Sequence, residues 1–280
     1  MNLNLAYSTC PNDTYIFDAL VNNRIKTNGL SFNTTLADIE ELNNLALHSN
    51  ADIVKISYAL YPFINENYQL LTSGGALGRG VGPLVVSKRK IYPDEVEYAN
   101  VAIPGKHTTA NLLFTLAYPK AKKKSVYLFS DIEEAVLSNE VDIGVIIHEN
   151  RFTYQHKGLK KVIDLGEYWE KEVGLPIPLG GIAVRRSLPN EIKNSINTLV
   201  RDSVVLANQN PEETYGYVKK FAKAMDLGVM QKHIGLYVNS FSIDLGDEGM
   251  NAVKALMSKA KKSGYNDEVG LIEPIFVGNH

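Results

Sequence analysis

Short apolar runs alternate with amphipathic stretches along most of this chain, and this alternation limits its possible folds more than any other feature. Residues 3–7, 53–57 and 143–147 have the length and side-chain pattern of buried strands. Residues 188–207 and 250–260 repeat apolar side chains with the 3.6-residue period of a helix. Because strands that alternate with helices form largely parallel sheets, the sequence predicts an α/β protein.

The charge balance and composition exclude several classes of protein. The 280 residues carry 29 basic and 31 acidic side chains, a formal net charge of −2 at pH 7. A protein that binds nucleic acid or a membrane surface usually has a basic excess, so neither is expected as a partner. Hydrophobic residues make up 45% and charged residues 21%, which is typical of a globular chain of one large or two medium domains.

The sequence also predicts a location in the cell. The first basic residue is Arg24, so the positively charged start of a signal peptide is missing. The longest uncharged run, residues 107–119, is shorter than the ~20 residues that a membrane-spanning helix needs. Cys10 is the single cysteine and has no second cysteine for an internal disulfide. We therefore expect a cytoplasmic protein.

Two glycine-containing segments, residues 74–82 and 174–181, bracket the central part of the chain. The first is too rich in glycine for regular structure and has the composition of a hinge. We predict that residues 88–176 form a smaller α/β domain inserted into a larger, discontinuous domain of residues 1–87 and 177–280. The chain then crosses between the domains twice, and a small ligand binds in a cleft that closes by hinge motion.

Familiar cofactor and metal motifs are broken by their spacing. Residues 104–108 resemble a phosphate-binding loop, but Asn100 stands where its first glycine is required. The glycine-rich segment has the wrong order for a dinucleotide fingerprint. His148 is followed four residues later by Phe152 instead of a second histidine. The sequence therefore predicts no nucleotide cofactor and no metal site.

Polar side chains follow four of the predicted strands, at the carboxyl ends where α/β sheets bind ligands. Residues 8–13 enter a helix that Asn12 or Asp13 can cap, and its free N–H groups could hold an anion. In the predicted strand of residues 53–57, Lys55 and Ser57 point to the same side. Two interpretations of Lys55 stay open: its ammonium lies in solvent at the strand end, or it binds a substrate carboxylate.

The other two polar segments belong to the central block. Thr108 and Thr109 open a helix with hydroxyl and N–H donors that suit a carboxylate or a polyol, although threonine caps are common. His148 follows an apolar strand at the mouth of the cleft, where Glu149 can influence its protonation. His148 is either a general base or a structural hydrogen-bonding residue.

Taken together, these segments resemble the 1,4-dihydroxy-6-naphthoate synthase family of the futalosine route to menaquinone. The resemblance is dense over residues 3–150 and loose beyond them. Where the family has proline and phenylalanine, this chain has Thr9 and Tyr15, and neither change removes a reacting group. The matching segments are Ser8-Thr9-Cys10-Pro11-Asn12-Asp13-Thr14-Tyr15-Ile16-Phe17, Lys55-Ile56-Ser57-Tyr58, Ala76-Leu77-Gly78-Arg79-Gly80 with Gly82-Pro83, Ile103-Pro104-Gly105 with Thr108-Thr109-Ala110, and Ile147-His148-Glu149.

The resemblance implies a type II periplasmic-binding-protein fold, with two α/β lobes and a cleft between them, used as an enzyme. It implies a carbon–carbon lyase that converts cyclic dehypoxanthine futalosine, a small carboxylate, into 1,4-dihydroxy-6-naphthoate and a three-carbon sugar fragment without a cofactor. The histidine matching His148 is then the proton acceptor. The segments matching Lys55, Ile56 and Ser57, and those matching Thr109 and Ala110, line the substrate.

We assign further roles by hypothesis: Ser57, Thr108 and Thr109 donate hydrogen bonds to developing enolate charge, and domain closure excludes water. Two alternatives remain. One is a chorismate dehydratase-like lyase, a family that lacks the Cys-Pro-Asn-Asp and Gly-Arg-Gly segments. The other is a cytosolic protein that binds or senses a small carboxylate. The sequence predicts nothing about the oligomeric state.

Overall fold

Two β-sheets with their surrounding helices form the protein, and a computed structural model describes residues 1–148, 150–222, 226–265 and 270–278. The strands are β1 (Asn2–Ser8), β2 (Ser31–Ala37), β3 (Ile53–Ser57), β4 (Tyr68–Leu70), β5 (Ala76–Gly78), β6 (Leu84–Ser87), β7 (Val101–Ile103), β8 (Lys124–Val126), β9 (Ile143–Ile146), β10 (Lys160–Asp164) and β11 (Ile177–Arg185). The helices are α1 (Pro11–Val21), α2 (Ile39–Leu47), α3 (Tyr61–Ile64), α4 (Thr109–Ala117), α5 (Ile132–Leu137), α6 (Asn150–Thr153), α7 (Leu165–Val173), α8 (Asn190–Gln209), α9 (Pro211–Phe221), α10 (Leu227–Tyr237), α11 (Ser240–Ile243) and α12 (Gly246–Lys262).

The first sheet has the order β2-β1-β3-β11-β4, and β5 also pairs with β11. In it β1 runs parallel to β2 and β3, whereas β11 runs antiparallel to β3, β4 and β5. The second sheet has the order β10-β6-β9-β7-β8. Its strands β7, β8 and β9 are parallel, and β6 runs antiparallel to β9 and β10. The predicted α/β class is confirmed.

Helix burial follows the sequence periodicity. The long helix α8 buries a stripe of small and apolar side chains against α1 and keeps its other face in solvent. Helix α12 also buries one face and exposes the other, and its buried face packs near β11 and α4. No helix in the described parts of the chain is long and apolar enough to cross a membrane.

Three local predictions were wrong. Helix α1 has Cys10 at its N-cap, so Asn12 and Asp13 lie inside the first turn instead of capping it. The glycine-rich segment contains the short strand β5. Strand β11 starts at Ile177, inside the segment 174–181 that was expected to be a connection before the strand. In both segments, pairing between β5 and β11 supplies hydrogen bonds that local sequence does not encode.

The chain passes between the two sheets twice, at residues 79–83 and at residues 174–176. These segments lie against each other, because the Arg79 guanidinium donates to the Gly174 carbonyl over 3.3 Å. Gly80 and Gly174 have φ angles of +69° and +76°, which glycine adopts at little cost. Strand β6 lies in the second sheet although residues 84–87 were placed in the larger domain. The division into domains 1–87 with 177–280 and 88–176 itself stays a prediction.

Candidate functional site

A cleft of about 670 Å³, counted to its opening into solvent, lies where the two sheets face each other. Both sheets contribute to its wall through the carboxyl ends of parallel strands, the positions at which α/β sheets bind ligands. The lining residues are Ser8, Asn12, Asp13, Ile39, Lys55, Ser57, Ala76, Val81, Pro83, Thr108, Thr109, Ala110, Ile147, His148, Leu179, Gly180 and Tyr237. Six of the seven predicted site residues therefore lie in one cleft.

Ile56 is the predicted site residue that the cleft does not include. Its side chain is fully buried and belongs to the apolar core with Val54 and Ala6. Successive side chains of a strand point to opposite faces, so Ile56 faces the core while Lys55 and Ser57 face the cleft. The Ile56 side chain is therefore directed away from the cleft, and its predicted role in substrate binding stays a prediction.

Lys55 forms a buried ion pair with Asp13. The Lys55 ammonium lies 2.8 Å from Asp13 Oδ1, and both side chains are at most 4% exposed. The same ammonium donates to the Gly74 carbonyl over 3.1 Å. The pairing arises because β1 and β3 are adjacent and parallel, which places residues 8–13 and Lys55 at one edge of the first sheet. The interpretation that the Lys55 ammonium lies in solvent is therefore wrong.

The Asp13 carboxylate accepts two further hydrogen bonds. Ser8 Oγ donates to Asp13 Oδ2 over 2.6 Å, and Asn12 Nδ2 donates to Asp13 Oδ1 over 2.8 Å. With Lys55, these donors compensate a carboxylate that would otherwise be costly to bury. The residues after β1 thus fix the position of Lys55 in the cleft wall.

Ser57 keeps a proton that it can donate into the cleft. Its Oγ accepts a hydrogen bond from Asn43 Nδ2 over 3.2 Å, and its N–H donates to Asn43 Oδ1 over 3.0 Å. Because a hydroxyl can accept and donate at once, the Ser57 O–H remains available to a ligand. This geometry suits the hydrogen-bond donor role predicted for Ser57.

Helix α4 begins at the edge of the second sheet and carries the two predicted threonines. Thr108 is the N-cap: its Oγ accepts from the Asn111 N–H and donates to the Gly105 carbonyl. Thr109 Oγ1 donates to the Leu179 carbonyl over 2.7 Å and accepts from the Ala59 N–H over 3.2 Å. Both hydroxyls are thus engaged within the protein, and the one on Thr109 connects the two sheets.

The start of α4 offers backbone donors instead of hydroxyls. The N–H groups of Thr109 and Ala110 are in the first helical turn, where no intrahelical acceptor exists. The helix dipole adds partial positive charge at the same place. An anionic ligand group in the cleft can therefore bind the N–H groups of α4, a site type well suited to carboxylates.

His148 lines the same cleft, in an uncommon backbone conformation. It follows β9 with a φ angle of +59°, in the left-handed region that non-glycine residues rarely adopt. Its ring is half-buried, with Cys10 Sγ 3.6 Å from Nδ1 and the Phe129 ring at 4.8 Å between centroids. Such backbone strain occurs mostly at functional sites. Glu149, expected to influence His148, lies outside the described residues.

Helix α10 contributes two residues that the sequence did not indicate. Tyr237 lines the cleft, and His233, one turn earlier, is fully buried beneath it. The His233 ring stacks on the His148 ring with 5.9 Å between centroids and an angle of 11°. Burial and the neighbouring His148 hold the pKa of His233 well below its usual value. His233 could have been found in the sequence as a histidine on the apolar face of a helix, with Met230, Ile234 and Tyr237 at helical spacing.

The site therefore combines a histidine at the cleft surface with hydrogen-bond donors and a lysine fixed in an ion pair, all lining one cleft. Such a site can accept a proton from a bound molecule and stabilise negative charge that develops on it. Among the described residues, no group of three or more histidine, cysteine, aspartate or glutamate side chains could hold a metal ion. The individual roles of the predicted residues stay predictions.

Comparisons with known proteins come from sequence and from structure. A family model described as menaquinone biosynthesis matches residues 3–262. A Streptomyces coelicolor protein named 1,4-dihydroxy-6-naphtoate synthase is 42% identical over 273 residues, which cover 96% of each chain. A Thermus thermophilus protein of the same name is 42% identical over 262 residues, covering 94% of this chain and 95% of that one.

Two solved structures extend the comparison. An Archaeoglobus fulgidus protein superimposes with a TM-score of 0.89 at 32% identity, covering 94% of this chain and 98% of that one. A Candida albicans protein described as having the generic periplasmic binding protein fold matches with a TM-score of 0.69 at 14% identity, covering 96% and 92%. The predicted periplasmic-binding-protein fold is confirmed.

Proposed function

The chain belongs to the menaquinone biosynthesis family, and on this basis we propose that it is a lyase that forms 1,4-dihydroxy-6-naphthoate. The proposed substrate is cyclic dehypoxanthine futalosine, which joins a carboxyphenyl ketone to a ring derived from ribose. The reaction breaks a carbon–carbon bond and releases a three-carbon sugar fragment. The observation that carries the proposal is that His148, the start of α4 and the Lys55 side chain all line one cleft.

The first step is removal of a proton from the substrate by His148. A neutral imidazole can accept a proton near pH 7, and the side chain is at the cleft surface in a backbone conformation that fixes its position. Removal of this proton generates an enolate, and aromatisation of the new ring favours the cleavage that follows.

The second requirement is stabilisation of negative charge on the substrate. Two separate positions on the cleft wall offer hydrogen-bond donors to this charge. One has the N–H groups of Thr109 and Ala110, and the other has the hydroxyl of Ser57. We assign the benzoate carboxylate to the start of α4, because the Lys55 charge is already compensated by Asp13. Lys55 then shapes the cleft wall through its ion pair with Asp13, without a direct ion pair to the substrate.

The third requirement is a closed site, because water would protonate the enolate. The cleft is between two sheets joined by two adjacent segments with glycines at positive φ angles. This arrangement permits hinge closure around a ligand. Cytoplasmic location is part of the proposal, since this chemistry serves the synthesis of a quinone precursor inside the cell.

A turnover assay tests the proposal. Purified protein is incubated with cyclic dehypoxanthine futalosine, and 1,4-dihydroxy-6-naphthoate is measured by mass spectrometry. We expect product in amounts that greatly exceed the enzyme, in the presence or absence of a chelator. A chorismate dehydratase-like lyase would leave this substrate unchanged and convert chorismate, whereas a binding protein would hold the substrate with no turnover; either result contradicts the proposal.

A further inference from the structure

His233 is a buried titratable side chain in contact with the proposed base, although it does not line the cleft. It comes from α10, in the part of the chain beyond residue 150. Its ring is fully buried, lies 4.8 Å from the Tyr237 ring and stacks almost parallel on the His148 ring. A buried ring next to a base restricts the orientation of that base and changes its surroundings.

A chain of hydrogen bonds fixes the tautomer of His233. The Asp13 carboxylate can only accept, so Asn12 presents its amide N–H₂ group to Asp13 Oδ1 over 2.8 Å. The other end of the Asn12 amide, Oδ1, therefore faces His233 Nε2 over 3.0 Å and must accept from it. His233 is thus the Nε2–H tautomer, with its lone pair on Nδ1.

Burial sets the charge of His233. Its pKa is held well below the usual value, first by the loss of hydration and then by the nearby His148. His233 is therefore neutral when His148 accepts a proton. A charged ring at this position would repel the imidazolium that forms on His148, whereas a neutral ring does not.

His233 is one of several residues that pack around the His148 ring. The His148 ring contacts residues from three separate elements: Cys10 at the start of α1, Phe129 before α5, and His233 on α10. The Cys10 thiol and the His233 ring are two titratable groups that the structure places in contact with His148. Glu149, the next residue, is outside that part of the structure.

We propose that His233 is a positioning residue for His148: held as the Nε2–H tautomer by Asn12 and Asp13, it supports the His148 ring in its reactive orientation. This inference rests on the proposed function, in which His148 is the base. It explains why residues 8–13, which lie after β1, matter to a histidine that follows β9. It also gives α10 a role in the reaction.

A double-mutant cycle tests the proposal. Turnover is measured for the wild type, His148→Asn, His233→Phe and the double variant. We expect His233→Phe alone to lower kcat by about 10- to 100-fold through misplacement of the base, with the Kd of the product within about threefold. In the His148→Asn background the same change should lower the rate by less than about twofold, since its effect passes through His148.

If the role of His233 is merely structural, the rate losses of the two single variants multiply in the double variant. This result, or an unchanged kcat in His233→Phe, would overturn the proposal. If His148→Asn retains wild-type activity, the base itself is misassigned, and the failure belongs to the proposed function. If His233→Phe does not fold, His233→Gln replaces it in the cycle, because glutamine keeps a hydrogen-bond donor for Asn12. Its rate loss should likewise be non-additive with that of His148→Asn. His156→Phe, at an exposed position, is the control and should match the wild type.

Nitrogen NMR of protein labelled at histidine gives a second readout that does not depend on activity. His233, assigned by its absence in His233→Gln, should show the neutral Nε2–H tautomer from pH 5.5 to pH 8.5. Titration of this ring within that range, or the Nδ1–H tautomer, would overturn the proposal.

Discussion

Lys55 shows what can and cannot be predicted from the sequence at the scale of one residue. A lysine in an apolar strand indicates a partner, because a buried ammonium without one is too costly. The identity of the partner, Asp13, depends on β1 and β3 being neighbours in the sheet, which local pattern does not specify. The same holds for His233, whose position beneath His148 depends on the packing of α10.

Replacing Lys55 should affect folding more than binding. Lys55→Met leaves the Asp13 carboxylate buried without its charge partner, which typically costs about 3 kcal/mol or more. Denaturant unfolding should therefore show a clearly lower free energy of unfolding. The double variant Lys55→Met with Asp13→Leu should recover part of this loss. An unchanged stability for Lys55→Met would contradict the buried ion pair.

The buried His233 predicts a pH dependence of stability. Its folded pKa is lowered, so below about pH 6.5 the unfolded chain binds a proton that the folded chain does not. The free energy of unfolding should thus fall as pH decreases from about 6.5, by at most ~1.4 kcal/mol per pH unit from this residue. Denaturant unfolding at pH 7.5, 6.5 and 5.5 measures it.

His233→Gln should flatten this dependence, because the variant removes the group that the folded state keeps neutral. His156→Gln, at an exposed position, is the matched control and should follow the wild type. Equal pH dependence in His233→Gln and the wild type would show that His233 does not resist protonation in the folded state.

At the scale of elements, α4 was predicted with its first residues correct but their hydroxyls misassigned. The sequence identified Thr108 and Thr109 as the start of a helix, and this is confirmed. That the Thr109 hydroxyl binds Leu179 on β11 and Ala59 just after β3 could not be predicted, since β11 starts nearly seventy residues later. Helix α4 is therefore fixed to the first sheet at the cleft.

Thr109→Val should weaken this connection. The variant keeps the shape of the side chain but removes a donor to Leu179 O and an acceptor for the Ala59 N–H, which costs about 1–3 kcal/mol for buried groups. Thr109→Ser keeps the hydroxyl and should lose much less. Denaturant unfolding compares the two, and equal stability would contradict the assigned hydrogen bonds.

At the scale of the whole molecule, the two lobes and the cleft could be predicted because alternating strands and helices interrupted by glycine-rich segments leave few topologies. The point of crossing could not be placed exactly. Strand β6 is short and apolar, so its sequence fits either sheet, and its pairing with β9 and β10 decides the outcome. Of the C-terminal helices, α10 contributes Tyr237 to the cleft wall, and the packing of this helix determines that position.

Closure is the prediction that belongs to this scale. Saturation with 1,4-dihydroxy-6-naphthoate should decrease the radius of gyration measured by small-angle scattering, because the lobes close on the ligand around the segments that join the sheets. His148→Asn keeps the cleft and should show the same decrease. An unchanged radius at saturation in both proteins would count against hinge closure.

The central claim is that His148 removes a proton in a cleft whose other walls hold the substrate. The most direct test is the single-turnover rate of His148→Asn with cyclic dehypoxanthine futalosine, beside the affinity of the same protein for the product. The rate should fall by about 100- to 10,000-fold, as for loss of a general base, while the product Kd stays within a few-fold of wild type. A variant that keeps more than about a tenth of the wild-type rate would contradict the account and place the base elsewhere.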